Sequence, residues 1–134
     1  MEDMDDKIRA SFARQGMMQT LGARIVRVEL GRVDIELPFS DAITQQHGYF
    51  HAAAMAAIAD TAGGYAALTL MEPHEEVLAV EFKINLMKPA TGSRVIAEAN
   101  VVRAGRTLII CQANVKNDAA ELVAVMMQTN FRVR

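Results

Sequence analysis

The spacing of apolar residues changes period along the chain, and the changes mark out its elements. From Asp5 to Gln15, Ile8 and Phe12 recur at helical spacing among charges and Gly16 follows as a stop, which predicts a short surface helix. From Arg24 the period falls to two. Val26, Val28 and Leu30 alternate with Arg27 and Glu29; after Gly31 and Arg32, Val33, Ile35 and Leu37 alternate with Asp34 and Glu36. Two strands joined by a tight turn are predicted. Pro38 and the polar stretch 40–46 break this ladder, and residues 51–68, almost all small and apolar, predict a long helix ending around 71–73.

Four further period-two segments follow with little between them. Leu78, Val80, Phe82, Ile84 and Leu86 form one face of the first, against Ala79, Glu81, Lys83 and Asn85 on the other. Residues 94–103 and 106–116 flank Ala104-Gly105 as a hairpin, and Asn117-Asp118 turns the chain into 122–133. The order strand, strand, long helix, four strands predicts an α+β fold: an antiparallel sheet of about six strands on one principal helix. Apolar residues surround nearly the whole helix, so it must be covered on most sides, and Ala and Gly let a curved sheet come close. Gly63 and Gly64 each cost about 1 kcal/mol against Ala inside a helix, so a packing or functional reason for them is expected. A helix wrapped by a bent sheet is the hotdog architecture. No repeat or linker divides the chain, so one domain over 1–134 is expected, with 1–20 as an N-terminal helical segment.

Composition narrows the function classes. A chain of 134 residues buries about two-thirds of its unfolded surface, enough for one core. With 51% apolar residues and a net charge of -2, it has neither a disordered composition nor the basic footprint of a nucleic-acid or anionic-membrane binder. The run 52–71 is long enough to cross a bilayer, but Ala and Gly drive insertion weakly, Asp60 sits at its centre and no Lys/Arg cluster flanks it, so a buried helix is expected. The lone Cys111 shares a strand face with Ile109, Ala113 and Val115 and reads as a buried, inert thiol. The acidic start, Glu2-Asp3-Met4-Asp5-Asp6, is unlike a signal peptide, and a cytoplasmic location is expected. His47 and His74 read as solvated loop residues, and no His, Asp or Cys cluster has metal-ligand spacing, so no metal is expected.

The strongest chemical signal is Asp60, one acid inside an alanine-rich helix, because burying a carboxylate costs several kcal/mol unless it is paired or used. The segment from His51 to Tyr65, with Gln45 and Gly48 ahead of it and Val80 to Pro89 behind, resembles the hotdog-fold acyl-CoA thioesterases of the phenylacetic-acid-degradation (PaaI-like) type. The likeness runs from about Gly22 to Val133. Thioester hydrolysis needs donors for a developing oxyanion and a base or nucleophile. The first turn of the helix, His51 to Ala54, has N–H groups without intrahelical partners, and Asp60 is the carboxylate. The separation between positions 51 and 60, at 1.5 Å rise per residue, is roughly 13 Å, too far for one carbonyl. Two helices antiparallel across a two-fold axis would bring Asp60 of each chain to the helix start of the other, so a homodimer with composite sites is expected, and a homotetramer of such dimers is what the resemblance implies.

The resemblance implies that Asp60 acts as general base or nucleophile, that the Ala52 N–H binds the thioester oxygen, and that Gln45 occupies the place of a family Asn that positions the carbonyl or water. His51 joins this catalytic set as the motif histidine, although a His at a helix start is more often a cap. The chain departs from the family where His-Gly-Gly becomes His51-Ala52-Ala53, where Gln45 replaces Asn, and where Ala79 stands in place of a hydroxyl carried by some relatives. Gly48, Tyr49, Phe50, Ala53, Gly64 and Ala79 are candidates for the substrate pocket, and Lys88, Arg103 and Arg106 for the phosphorylated end of coenzyme A. Coenzyme A would enter as part of the substrate, with no separate cofactor. A non-catalytic acyl-CoA or lipid-binding hotdog module and a hotdog dehydratase remain alternatives; the second usually carries a His-Phe-Pro-Gly-like turn that this chain lacks.

Overall fold

The computed structural model describes residues 2–134. In chain order the elements are α1 (Glu2–Ala13), α2 (Gly16–Leu21), β1 (Arg24–Glu29), β2 (Arg32–Pro38), a 3-10 turn (Asp41–Ile43), α3 (Ala52–Leu68), β3 (Glu76–Leu86), β4 (Arg94–Ala104), β5 (Leu108–Asn117) and β6 (Leu122–Val133). The strands form one antiparallel sheet in the order β1-β2-β4-β5-β6-β3. It packs along α3, whose Ile58, Ala59, Ala62 and Ala66 are fully buried against inward residues such as Ile35, Ala97, Ile109 and Met126. The α+β hotdog arrangement expected from the pattern is the one the chain adopts.

Three features depart from the period-two and helical readings. Gly16 does not end the N-terminal helical segment but begins α2, which buries Met18 and closes on Gly22 in the left-handed conformation, φ 77°. Val26 lies at a bulge between Ile25 and Arg27, so Ile25 and Val28, opposite Ile35 and Val33, are the residues of β1 that face the core. Val26 and Leu30 are exposed instead. Val80 forms a second bulge between Ala79 and Glu81. Before it, Ala79 faces the same way as its buried partner Asn130; after it, Phe82, Ile84 and Leu86 share a face with Gln128, Met126 and Ala124. Leu78, opposite Phe131, therefore points outward and is 61% exposed, rather than continuing the face of Ile84.

Helix α3 stops at Leu68, short of the expected end near Pro73. Thr69 follows it, donating its hydroxyl to the Ala66 carbonyl at 2.7 Å and accepting the Gly31 N–H at 2.8 Å, which ties the helix end to the β1–β2 turn. The expectation that α3 is covered on most sides needs one amendment. Ala53, Ala56, Ala57, Asp60, Thr61 and Gly64 form a stripe at helical spacing that the chain leaves exposed or half-buried. Phe82, on the inward face of the edge strand β3, is likewise 45% exposed. No helix among the described residues is long and apolar enough to cross a membrane.

Candidate active site

His51 is the N-cap of α3, with extended backbone (φ -67°, ψ 135°), and its Nδ1 accepts the Ala53 N–H at 2.9 Å. A neutral ring in this role carries its proton on Nε2. The His51 carbonyl accepts the N–H groups of Ala54 and Met55. Of the first-turn donors this leaves the Ala52 N–H without a partner among the described residues, at the positive end of the helix dipole. Ala keeps that donor, and its position places no demand for positive φ, since only Ala120 among the described non-glycine residues has one.

Ala52 opens on a cavity of about 580 Å³, lined also by Gln45, His47, Tyr49, Phe50, His51, Met55, Leu86 and Lys88. Gln45 shapes the loop that forms its wall: Oε1 accepts the N–H groups of His47 and Tyr49, leaving the amide nitrogen as the side chain's remaining donor group. Gly48, at φ 83°, lets this loop turn rather than lining the cavity itself. Tyr49 is half-buried, whereas Phe50 belongs to the core, 2% exposed and edge-to-face with Phe39 at a centroid separation of 5.5 Å. Lys88 pairs with Glu121 at 2.8 Å on the exposed side of the same cavity. Ala53 lines a second, mostly apolar hollow of about 240 Å³ beside Met17, Leu21 and Ala57.

Asp60 faces a different, smaller cavity of about 170 Å³, which it shares with Gln15, Thr61, Gly64, Tyr65, Val77 and Ala79. The two lining sets have no residue in common, so one chain presents its carboxylate and its free helix-start donor to separate spaces. Ala79 lies beside the acid, and no serine or threonine of β3 takes its place; the nearby hydroxyls belong to Thr61 and Tyr65. Tyr65 is held by Ser11 at 2.9 Å and by Gln15 Nε2 at 2.8 Å, and its ring meets Phe12, so α1 and the α1–α2 link close this end of the cavity.

Burial pushes the Asp60 carboxyl above its ordinary pKa, and a hydrogen bond from Gln128 draws it back. Gln128 Nε2 donates to Asp60 Oδ1 at 2.6 Å and to the Asp60 carbonyl at 2.8 Å, and Asn130 Nδ2 donates to Gln128 Oε1 at 2.8 Å. These two amides are absent from the sequence-derived candidate set. The signal for them was positional: after Ala124 and Met126, positions 128 and 130 are the next inward-facing sites of β6, and both are polar. Asn130 Nδ2 also reaches Cys111 Sγ at 3.6 Å. That thiol is fully buried and pushed up to about 12, as an inert core cysteine should be.

Arg103 and Arg106 line none of these three cavities. Arg103 opposes Ile110, which opposes Thr129 between Gln128 and Asn130, so it sits on the outer face of the sheet at the level of Asp60. Arg106 is exposed in the β4–β5 turn, and its carbonyl accepts from Arg134. His74 is exposed in the loop before β3. The described residues contain no group of three or more His, Cys, Asp or Glu side chains placed to hold a metal ion.

The model of the thioesterase superfamily matches residues 47–132, which includes α3 and strands β3 to β6 almost whole. A thioesterase family protein from Silicibacter pomeroyi, solved as a crystal structure, is 44% identical, with a TM-score of 0.93 over 97% of this chain and 98% of that one. A 1,4-dihydroxy-2-naphthoyl-CoA hydrolase from Listeria monocytogenes is 24% identical over 110 residues, covering 82% of this chain and 89% of the relative. The PaaI protein from the phenylacetic acid degradation operon of E. coli shares the fold, with a TM-score of 0.91 over 99% of this chain and 95% of its own at 18% identity. A family match across most of the chain, together with 44% identity to a thioesterase family protein over nearly the whole of both chains, identifies this protein as a member of the thioesterase superfamily.

Proposed function

We propose that this thioesterase hydrolyses acyl-CoA at two composite sites of a homodimer, each built from Asp60 of one chain and the Ala52 N–H of the other. The observation that carries this reading is the division of labour along α3. Its free donor and its acid open on separate cavities, and the stripe joining them, Ala53, Ala57, Asp60 and Gly64, is the side of the helix that the chain's own sheet leaves uncovered. Small side chains on that stripe allow a second helix to approach antiparallel, and the uncovered Phe82 on edge strand β3 adds apolar surface beside it.

In the composite site the Ala52 N–H polarises the thioester carbonyl and stabilises the oxyanion. Asp60 takes a proton from water as the water oxygen bonds to the carbonyl carbon, or attacks that carbon itself to give an anhydride that water then opens. Either way the C–S bond breaks, the coenzyme A sulfur leaves as thiolate and regains a proton, and the acyl group departs as the carboxylic acid. An acyl-CoA substrate is supported by the coenzyme A ester that the Listeria relative is named for. The about 580 Å³ beside Met55, Leu86 and Tyr49 suits an aryl or medium aliphatic acyl group. His51 supports the site as the cap that holds the helix start.

Complementation between two defective chains tests both parts. Ala52 is the first helical residue and His51 before it is already extended, so Ala52→Pro deletes the N–H while keeping the helix. Alone, Ala52→Pro and Asp60→Asn homodimers should release little free thiol from a panel of aryl- and fatty acyl-CoAs. Refolded together in equal amounts, they should recover about a quarter of wild-type activity, since half the dimers then hold one intact site of two. No recovery in a verified heterodimer would place both groups in one chain's site. Saturable acyl-CoA binding without thiol release by the wild-type protein would instead make it a binding module.

A further inference from the structure

We propose that Gln128, its amide set by Asn130, is the positioning residue for the Asp60 carboxylate, holding one carboxylate oxygen and leaving the other to the substrate. The inference rests on the reading of Asp60 as the acid that serves hydrolysis. Gln128 Nε2 reaches both Oδ1 and the main-chain carbonyl of Asp60, at 2.6 and 2.8 Å, so one NH₂ group fixes the side chain relative to its own helix. Oδ2 accepts from no described residue, and Asp60 faces the small cavity lined by Thr61, Gly64 and Ala79. An acid with one oxygen anchored and one free is arranged to accept a proton along a defined direction.

The amide of Gln128 has only one workable orientation. Asn130 Nδ2 donates to Oε1, so the NH₂ group must face Asp60; reversal would set Oε1 against two Asp60 oxygens and two NH₂ groups against each other. Both amides are buried, Gln128 3% exposed and Asn130 fully enclosed. Asn130 makes this contact at a cost, because its Oδ1 has no hydrogen-bond partner. The pair thus turns its donors towards Asp60 while one of its own buried oxygens stays unpaired. Helix α3 also yields to Gln128: a Cβ at Gly63 would overlap its amide. The Gly63 anticipated from the sequence as a close-packing position is therefore a seat for the residue that holds Asp60.

Burial raises the Asp60 carboxyl and the Gln128 N–H lowers it, and these are its two influences. The groups packed around it agree. Gln15 faces it from the α1–α2 link, Val77 and Ala79 from β3, and Gln128 and Asn130 from β6; the titratable neighbours are Tyr65 on α3 and, behind Asn130, Cys111 on β5. Glu81 and Lys83 of β3 point to the opposite face with Thr129 and Met127.

The experiment compares Gln128→Met, which keeps volume but has no donor, and Asn130→Leu with wild type and Asp60→Asn, in the full-length protein with a benzoyl- or hexanoyl-CoA substrate it turns over. Gln128→Met should lower kcat about ten- to a hundredfold at neutral pH, change KM little, and move the acidic limb of kcat/KM up by about one pH unit. The Asp60 carboxyl ¹³C titration, read without substrate, should move the same way. Asn130→Leu should shift both in the same direction by less, and it carries the test through the same two readouts if Gln128→Met does not fold. Unchanged limb and unchanged titration in a folded variant would overturn the positioning role while Asp60→Asn remained inactive. Full activity in Asp60→Asn would overturn the underlying reading of Asp60 as well.

Discussion

His51 Nδ1 accepts the N–H of Ala53 at 2.9 Å, so the imidazole at the head of α3 caps its own helix and leaves Ala52 as the free donor. The cap predicts a stability effect. His51→Ala should destabilise the protein by about 1 kcal/mol in denaturant unfolding, and His51→Ser or His51→Asp, which restore an acceptor at the same place, should recover most of it. Equal losses in all three variants would show that the ring matters through packing rather than through its acceptor.

Asp60→Asn should trade stability against function. Thiol release should fall by about 10²–10⁴-fold. Stability should move the other way, and the sign follows from the raised carboxyl. Between the ordinary Asp value and the raised folded value, the folded state keeps a proton that the unfolded chain has lost, so wild-type stability falls as pH rises through that window and stays lowered above it. Asn has no such slope. Denaturant unfolding from pH 4 to 8 should show the variant's advantage growing with pH and then levelling, whereas a constant difference would mean that Asp60 titrates normally.

Glu75 should show the opposite dependence. Its side chain, 2% exposed, accepts the Glu72 N–H at 2.8 Å and pairs with Arg132 at 3.0 Å and Arg134 at 3.2 Å, while its carbonyl accepts from Lys7. The Glu72 N–H first, and then Arg132, hold the carboxyl below its ordinary value. Its stabilisation is thus present above the unfolded Glu pKa and lost as pH falls through the depressed folded one. Glu75→Gln should lower Tm by several degrees at pH 7, with the gap to wild type closing in acid. A gap that persists unchanged to pH 3 would assign the loss to geometry instead of charge.

These residues also show what was readable from the sequence and what was not. The strand and helix sequence was legible because alternation and helical spacing are local, and Cys111 was legible because its neighbours at 109, 113 and 115 are all apolar. The faces of β1 and β3 were not, since one extra residue at Val26 or Val80 reverses the alternation without changing its period. Helix α2 is too short to carry a period and exists through tertiary contacts such as that of buried Met18. Asp60 stood out as one acid in an alanine-rich helix, and Ala52 was singled out within that helix's first turn by the family resemblance. Gln128 and Asn130 could not be tied to Asp60 until the order β5-β6-β3 placed the inward face of β6 against α3.

The paired glycines of α3 separate helix propensity from positioning. In a helix interior Ala is favoured over Gly by about 1 kcal/mol, so both Gly63→Ala and Gly64→Ala carry an intrinsic gain. At Gly64 the new Cβ would meet nothing in its own chain nearer than Asn130 Oδ1 at 4.0 Å and would leave Gln128 in place, so the acidic limb of kcat/KM should stay unmoved, while the intrinsic gain in Tm is offset by the crowding of the partner helix proposed to lie on this stripe. At Gly63 the Cβ would collide with the Gln128 amide, and overpacking of about 1–3 kcal/mol offsets the gain. The amide moves because it is the flexible end of a side chain, and its hydrogen bond to Asp60 goes with it. Gly63→Ala should therefore leave Tm level with wild type or a few degrees below it while lowering kcat and raising the acidic limb, as Gln128→Met does. The double variant with Gln128→Met should be no worse than either alone, because both remove the same contact. Additive losses would show that Gly63 serves the helix packing independently of Gln128.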